Sequence, residues 1–254
     1  MNTRRKPYIA GNWKMNLDRA RALDLIKTIK GRIGDGNDRE VAIFTPSVYL
    51  QDVSAQAQGS PLGVGAQNMY FEPDGAYTGE LSGSMLREVG ADRVLIGHSE
   101  RRSIFGEPDD WMVKKIRAAL STSLLPILCI GESLDERKGN KTDRVLKKQL
   151  ESALVDFDPT DAHRLTIAYE PVWAIGTGEV ATIEQVSSAH EMIRKWIKTK
   201  LGEDAAETIR LLYGGSVKPD NAAQLMAVED VDGLLVGGAS LKPDLFLPII
   251  EFDS

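Results

Sequence analysis

The sequence predicts an α/β fold in which residues 1–254 form a single (β/α)8 barrel, eight parallel strands with surrounding helices. Three observations predict it. The chain has 254 residues, close to the roughly 250 of such a barrel. Eight short apolar runs alternate with amphipathic helical stretches, and no linker or low-complexity segment divides the chain. Eight units in this length favour a closed barrel over an open doubly wound sheet.

The eight predicted strands recur along the whole chain, and each is rich in aliphatic or β-branched residues. In chain order they span residues 8–13, 41–44, 62–66, 93–96, 126–130, 165–169, 209–213 and 233–236. A glycine-rich or polar turn and a helical stretch follow each run, as in parallel strands joined by crossover helices. The helical stretch after the last strand contains Pro248, which removes one backbone hydrogen bond and should bend that helix.

The helix after the sixth strand has clear start and stop signals. Thr182 and Gln185 form a capping-box pattern, apolar residues then recur at spacings of three and four, and Gly202 supplies the stop. His190 lies on this apolar stripe, so we interpret it as a packed structural histidine. His163 lies in a polar stretch and is interpreted as a surface residue.

Composition and charge argue against several classes of partner. The 31 basic and 37 acidic residues give a formal net charge of −6 without a basic cluster, which argues against nucleic acid and anionic membrane as partners. The one cysteine, Cys129, cannot form an internal disulfide. No apolar segment of a secretory signal follows the basic N-terminus, and the longest apolar run, residues 124–130, is too short to cross a membrane. We therefore expect a cytoplasmic protein.

Polar residues interrupt the apolar pattern where strands one and four end, the edge at which parallel α/β folds carry reactive groups. Strand one ends in GNWKMN, and period-two alternation places Asn12 and Lys14 on one side. Lys14 would there face an anion or form a structural ion pair with Glu100. Strand four ends in IGHSERR, where His98 precedes a helix start. If the His98 ring accepts a hydrogen bond from a backbone N–H, the imidazole stays neutral and could donate to a substrate carbonyl. The alternative is that His98 is a core residue whose hydrogen bonds are all made within the protein.

Strands six, seven and eight end in equally polar or glycine-rich motifs. In AYEPVWAIGTG, Pro171 biases Glu170 towards extended geometry, so that the carboxylate leaves the strand end in a defined direction. The apolar tip on glycine hinges predicts a lid over residues 171–181, although an ordinary loop on the barrel rim has a similar composition. YGGSV and VGGAS carry paired glycines that would let backbone amides approach a phosphate.

Together these strand ends deliver a cation, an imidazole, a carboxylate and two anion-binding turns. No metal-ligand cluster, dinucleotide-binding glycine motif after strand one or nucleophile elbow accompanies them. No strand carries an interior lysine for a Schiff base. Such a set is typical of proton abstraction next to a carbonyl of a phosphorylated substrate, with neither cofactor nor metal.

These motifs also carry a resemblance to a known family. GNWKMN, IGHSERR, AYEPVWAIGTG and YGGSV resemble those of the triosephosphate isomerases in order and spacing, from Gly11 to Ser240. The resemblance implies a TIM-barrel isomerase of glycolysis and gluconeogenesis that interconverts dihydroxyacetone phosphate and D-glyceraldehyde 3-phosphate through an enediolate. It implies that Glu170 is the catalytic base, that neutral His98 polarises the carbonyl, and that Lys14 offsets phosphate and enediolate charge.

The same resemblance assigns roles to the residues around these three. Asn12 would hydrogen-bond the substrate oxygens, and Glu100 would position the lysine. Ile175 and Leu235 would clamp over the base when the lid closes. The implied phosphate-binding positions are Gly176, Ser216, Gly237 and Gly238.

Family members are usually homodimers in which the loop after strand three enters the neighbour's site. GAQNMYFEPDGAYTGE, residues 65–80, is that loop here, with Gln67 and Thr78 at the matching positions. Its aromatic tip suits a pocket on another chain better than solvent. We therefore expect a homodimer that binds a small triose phosphate and neither nucleic acid nor membrane.

Two other functions stay open at this point. Another phosphate-binding barrel isomerase, acting on an indole or amino-sugar phosphate, would need a larger pocket than the short lid indicates. A catalytically silent barrel, serving as a scaffold or adhesin, would have lost at least one of Lys14, His98 and Glu170. The chain departs from the family pattern at Glu179 in the far hinge of the lid, where a lysine or a neutral residue is expected.

Overall fold

Eight parallel strands close into one barrel. In the computed structural model, which describes residues 5–35, 38–175 and 179–253, each strand pairs in parallel with its neighbours in sequence, and the last pairs with the first. The strands are β1 Tyr8–Asn12, β2 Glu40–Thr45, β3 Gly63–Ala66, β4 Arg93–Ile96, β5 Leu125–Ile130, β6 Thr166–Tyr169, β7 Arg210–Tyr213 and β8 Gly233–Val236. The predicted (β/α)8 barrel is confirmed.

Helices surround the barrel and connect successive strands. They are α1 Arg19–Lys30, α2 Leu50–Ala57, α3 Gly83–Glu88, α4 Ser99–Ser103, α5 Asp110–Ser121, α6 Leu134–Lys138, α7 Thr142–Ala153, α8 Ile183–Leu201, α9 Glu203–Thr208, α10 Pro219–Met226 and α11 Pro243–Ile250. Of the helices in the described ranges, none is long and apolar enough to cross a membrane.

Every predicted strand is present, with ends that differ from the prediction by no more than one residue. β1, for example, ends at Asn12 and not at Trp13. The cause is local, because Lys14 adopts a φ of 52°, in the left-handed region, and turns the chain out of the sheet.

The capping and packing predicted around α8 are confirmed. The Thr182 hydroxyl accepts from the Gln185 amide, the Gln185 side chain accepts in return, and Gly202 caps the other end with a φ of 97°. His190 is fully buried, and burial lowers its pKa to about 4. Pro248 lies inside α11, as predicted, and His163 is exposed.

The barrel interior is layered along its axis, which positions the site. The apolar layer contains Tyr8, Ala10, Ala42, Phe44, Leu95, Ile127, Cys129, Ala168, Leu212 and Leu235. Below it, the Arg93 guanidinium donates to the Tyr8 hydroxyl at 2.9 Å and to Glu40 at 2.6 Å, which closes the amino-terminal end. At the carboxyl end, side chains of β1 and β6 that point into the barrel alternate with ones that point out. Asn12 follows Ala10, and Glu170 follows Ala168, on the inward-facing side.

Candidate active site

A cavity of about 530 Å³ lies at the carboxyl ends of the strands and gathers most of the predicted site residues. The predicted residues that line it are Asn12, Lys14, His98, Glu170, Ile175, Ser216, Leu235, Gly237 and Gly238. Gly176, the remaining predicted phosphate ligand, lies outside the described residues. Glu100 and Gln67 line an adjoining cavity of about 320 Å³, and Thr78 is exposed on the loop after β3.

Glu170 is held at the end of β6 by its neighbours on both sides. Its backbone N–H donates to the Ile130 carbonyl at 2.7 Å, which continues the β5–β6 ladder by one step. A Cβ at Gly131 would lie 1.7 Å from the Glu170 carbonyl oxygen, and one at Gly214 would lie 2.9 Å from Glu170 Cγ. Glycine is therefore needed at both positions so that the backbones can enclose this residue. Its side chain is 2% exposed.

His98 lies where β4 gives way to α4, and its ring is fixed at both nitrogens. Nδ1 accepts from the Glu100 backbone N–H at 3.2 Å, which is the contact that the helix start predicted. Nε2 lies 3.0 Å from Glu170 Oε1. The second carboxylate oxygen, Oε2, accepts from the Ser99 backbone N–H at 3.0 Å. The first turn of α4 thus orients both groups.

The imidazole and the carboxylate set each other's protonation. Burial lowers the pKa of His98, but the adjacent Glu170 carboxylate outweighs burial and raises it above its usual value. Burial is the largest effect on Glu170 and raises its pKa, but His98, the Ser99 backbone N–H and Lys14 together outweigh burial and lower it. The sequence predicted that a backbone N–H would lower the pKa of the imidazole, whereas the net shift of the His98 pKa in this structure is upward. The reason is that a carboxylate 3.0 Å away affects the ring more than one backbone N–H does.

Lys14 supplies positive charge at the same cavity. Its Nζ lies 2.6 Å from Glu100 Oε1, in a pair that is partly open to solvent. Its backbone N–H donates to Asn12 Oδ1 at 3.0 Å, and its backbone carbonyl accepts from Gln67 Nε2 at 2.9 Å. A Cβ at Gly237 would lie 3.6 Å from Lys14 Cε, so the lysine stem passes beside the turn after β8. Three hydrogen-bonded contacts therefore define the place of this lysine.

The two glycine pairs serve different purposes. At Gly215 an added Cβ would lie 2.2 Å from the Tyr213 hydroxyl, so the pair after β7 is needed for close packing. At Gly238 an added Cβ would meet nothing within 4 Å, and Gly237 adopts a φ of −84° and a ψ of −111°. The turn after β8 therefore presents backbone to the cavity with room for a ligand. Ser216 lines the same end of the cavity.

Sequence reasoning missed three contributors to this geometry. Ser99 donates a backbone N–H to the carboxylate, and Gly131 makes room for it. Gln67, assigned to an interface, holds the Lys14 carbonyl within the same chain. The signal for Ser99 was its place in the first turn of a helix directly after His98, because the first N–H groups of a helix have no partner inside it.

Known proteins match the chain over nearly its full length. The family model of triosephosphate isomerase matches residues 7–253. The chain belongs to the triosephosphate isomerase family. The triosephosphate isomerase of Roseiflexus castenholzii is 49% identical, with 98% of each chain covered. The triosephosphate isomerase of Alkaliphilus oremlandii is 48% identical, and the match covers 98% of this chain and all of that one. The crystal structure of the Bartonella henselae triosephosphate isomerase superposes with a TM-score of 0.89 at 41% identity, covering 97% of this chain and 98% of that one.

Membership in the triosephosphate isomerase family makes this chain an isomerase of glycolysis and agrees with the groups gathered in the cavity. In the part of the chain that the structure describes, no three His, Cys, Asp or Glu side chains are grouped so that they could hold a metal. The predicted site residues give this cavity a carboxylate, an imidazole, an amine and backbone amides.

Proposed function

We propose that this chain interconverts dihydroxyacetone phosphate and D-glyceraldehyde 3-phosphate by proton transfer through an enediolate, with Glu170 as base and His98 as electrophile. The observation that carries the proposal is the 3.0 Å contact between these two side chains in a cavity that also holds Lys14 and the glycine turn after β8. A base, a hydrogen-bond donor and an anion site together are what enolisation of a phosphorylated carbonyl compound requires.

Substrate entry separates the imidazole from the carboxylate. In the ligand-free site each satisfies the other, so neither faces a substrate atom. A carbonyl oxygen that enters between them takes the His98 hydrogen bond and leaves the carboxylate free to take the proton from the adjacent carbon. Glu170 then keeps the burial that raises its pKa and loses the contact that lowers it, so it becomes a stronger base.

Charge in the bound state is balanced by Lys14. Its ammonium offsets the phosphate and the developing enediolate, while Glu100 positions it through the 2.6 Å contact. Asn12 is buried at the same strand end and hydrogen-bonds the substrate oxygens. Ser216, Gly237 and, beyond the described residues, Gly176 complete the phosphate site with Gly238.

A lid over residues 171–181 closes this site. Ile175 lines the cavity on the lid side, and Leu235 lines it from the end of β8. On closure these two side chains clamp over Glu170 and expel water, which strengthens every charge interaction inside. Glu179, in the far hinge, is exposed.

The active form is a homodimer, in the cytoplasm, in which the loop of residues 65–80 enters the partner's site. Residues 73–80 of this loop, which include Thr78, are exposed. Some large apolar side chains that line the adjoining cavity, or that are next in sequence to residues lining it, are also exposed, as expected of an interface. They are Met15 (95% exposed), Val48 (76%), Ile104 (70%) and Phe105 (69%). Gln67, at the base of the loop, connects this surface to the Lys14 backbone.

An assay of the purified chain with D-glyceraldehyde 3-phosphate tests the activity. Formation of dihydroxyacetone phosphate is followed by its coupled reduction, and we expect rapid turnover without added metal or cofactor. Glu170→Gln is the matched control, because it keeps the shape of the side chain and removes the base. Absence of turnover in the wild type would refute the activity, and full turnover in Glu170→Gln would refute the role of Glu170.

A further inference from the structure

A third cavity, of about 210 Å³, lies behind the active site, and we refer to it as the back cavity. It is bounded by α4, the end of β5, the loop that follows it, and α7. Among the described residues, Glu170 lines both the back cavity and the active-site cavity, and none of the other residues lining either one lines both. The proposed base is therefore the shared wall between the substrate side and a second space.

The back cavity is suited to hold water. Its lining includes the polar side chains of Ser103, Ser133, Glu136 and Gln149. At roughly 30 Å³ per molecule it has room for several waters, and each would find polar partners among these groups. Ser103 is exposed and Ser133, Glu136 and Gln149 are partly exposed, so the lining extends to the surface of the protein.

The carboxylate is in direct contact with the wall of the back cavity. Its Oε2 accepts from the backbone N–H of Ser99, which lines that cavity. On the other side Gln149 holds Gly131 in place, accepting from its N–H at 2.8 Å and donating to its carbonyl at 3.1 Å. Gly131 in turn abuts the Glu170 carbonyl. The back cavity is therefore bounded on these two sides by hydrogen bonds within the chain.

We propose that the back cavity is the route by which the proton held by Glu170 exchanges with solvent while substrate occupies the front. The inference rests on the proposed role of Glu170 as base. Removal of a proton from C1 of dihydroxyacetone phosphate leaves an enediolate and a neutral Glu170 carboxylic acid. The acid releases this proton to a water in the back cavity and takes another proton from the same water chain. It then donates the new proton to C2, while His98 moves the hydroxyl proton from O1 to O2, so that the product is the neutral aldehyde and Glu170 is a carboxylate again.

Substrate and protein block exchange on the front side. The bound triose phosphate lies against the carboxylate there, between Glu170 and the imidazole it displaces. The apolar side chains of Ile175 and Leu235 also face that cavity and offer water no hydrogen-bond partner. The polar side chains Asn12, Lys14 and Ser216 also line the front cavity, but they are assigned to the bound substrate, whereas those of the back cavity are not; proton exchange needs a hydrogen-bonded chain.

Isotope incorporation tests this route. Dihydroxyacetone phosphate is isomerised in D₂O, the product is trapped by irreversible oxidation, and mass spectrometry measures how much C1 protium reaches C2 and how much deuterium replaces it. Ser103→Leu fills the back cavity with apolar volume, and Ser103→Phe fills it further. We expect exchange to slow and the protium carried to C2 to rise about three- to tenfold, with kcat/KM close to that of the wild type.

Two controls separate volume from other effects. Ser103→Ala keeps the space and should keep the isotope ratio of the wild type. Ser121→Leu is matched in position, because both serines are the last residue of a helix and both hydroxyls donate back to a helix carbonyl, at 2.8 Å for Ser103 and 3.0 Å for Ser121. Ser121 lies outside the back cavity and should also leave the ratio unchanged.

The outcomes distinguish the route from the proposed function. If folded Ser103→Leu and Ser103→Phe both give the isotope ratio of the wild type, or if Ser103→Ala shifts it as much as Ser103→Leu does, the back cavity is not the route. If Glu170→Gln still isomerises substrate at full rate, the assignment of the base fails instead. If Glu170→Gln is inactive and Ser103→Leu and Ser103→Phe keep the isotope ratio of the wild type, the proposed route is wrong but the assignment of Glu170 as the base stands.

Discussion

Replacing Glu170 by aspartate is the most informative perturbation of this site, because it keeps the charge and moves it. The aspartate side chain is one methylene shorter, which withdraws the carboxylate by about an ångström. In the structure Glu170 Oε1 lies 3.0 Å from His98 Nε2, and Oε2 lies 3.0 Å from the Ser99 amide nitrogen. Both separations would grow to about 4 Å, beyond hydrogen-bond distance.

The expected losses in activity and in stability differ in size. An ångström of misplacement in a reacting group costs about 10² in rate, or about 2.7 kcal/mol of barrier. Two lost hydrogen bonds to a carboxylate cost about 3 kcal/mol of stability, which in a chain of this size lowers the thermal midpoint by about 6–12 °C. The variant therefore stays folded at the assay temperature while kcat falls at least about a hundredfold.

Measurement of kcat and of the thermal midpoint on Glu170→Asp checks both expectations. Glu191→Asp, an exposed glutamate on α8, is the control for the same chemical change away from the site and should alter neither value. If Glu170 were only the structural partner of His98, the midpoint would fall while kcat stayed close to that of the wild type. That pattern would refute its assignment as the base.

Four further predictions follow from the site and the fold. His98→Gln should lower kcat by about 10²–10⁴, the usual contribution of a general acid–base group, and an unchanged kcat would end its assignment. Inorganic phosphate should inhibit competitively, and purely non-competitive inhibition would place the phosphate-binding site elsewhere. Lys14→Met should raise KM and lower kcat together, because the lysine charge stabilises both the bound substrate and the transition state. Thr78→Arg should dissociate the dimer in sedimentation experiments at micromolar concentration, because an unpaired buried charge costs several kcal/mol; an intact, active dimer contradicts the interface. Since the pKa of buried His190 is lowered to about 4, the unfolded chain binds the extra proton between roughly pH 4 and 6.5, so stability should fall as pH falls through that window, by up to about 3 kcal/mol. Urea unfolding against pH measures this slope, and an equally steep slope in His190→Gln would contradict it.

The order of the elements and the edge that carries the chemistry could be predicted from the sequence. The apolar runs and the glycine-rich turns identified all eight strands, because strand and turn signals depend on residues close together in the chain. The capping box at Thr182 and the packing of His190 were predictable for the same reason. Parallel strands all end at one edge, so Asn12, His98 and Glu170 could be assigned to a common site before any distance was known.

The contacts within that site were decided by the tertiary structure alone. The 3.0 Å approach of His98 to Glu170 raises the pKa of the imidazole, against the direction expected from the helix start, and nothing in either motif states that distance. Gln67 holds the Lys14 backbone although the sequence indicated only an interface role. The physical reason is the range of the forces. Periodicity and capping act over a few residues of chain, whereas a hydrogen bond or a pKa depends on atoms a few ångströms away in space, which closure of the barrel brings together.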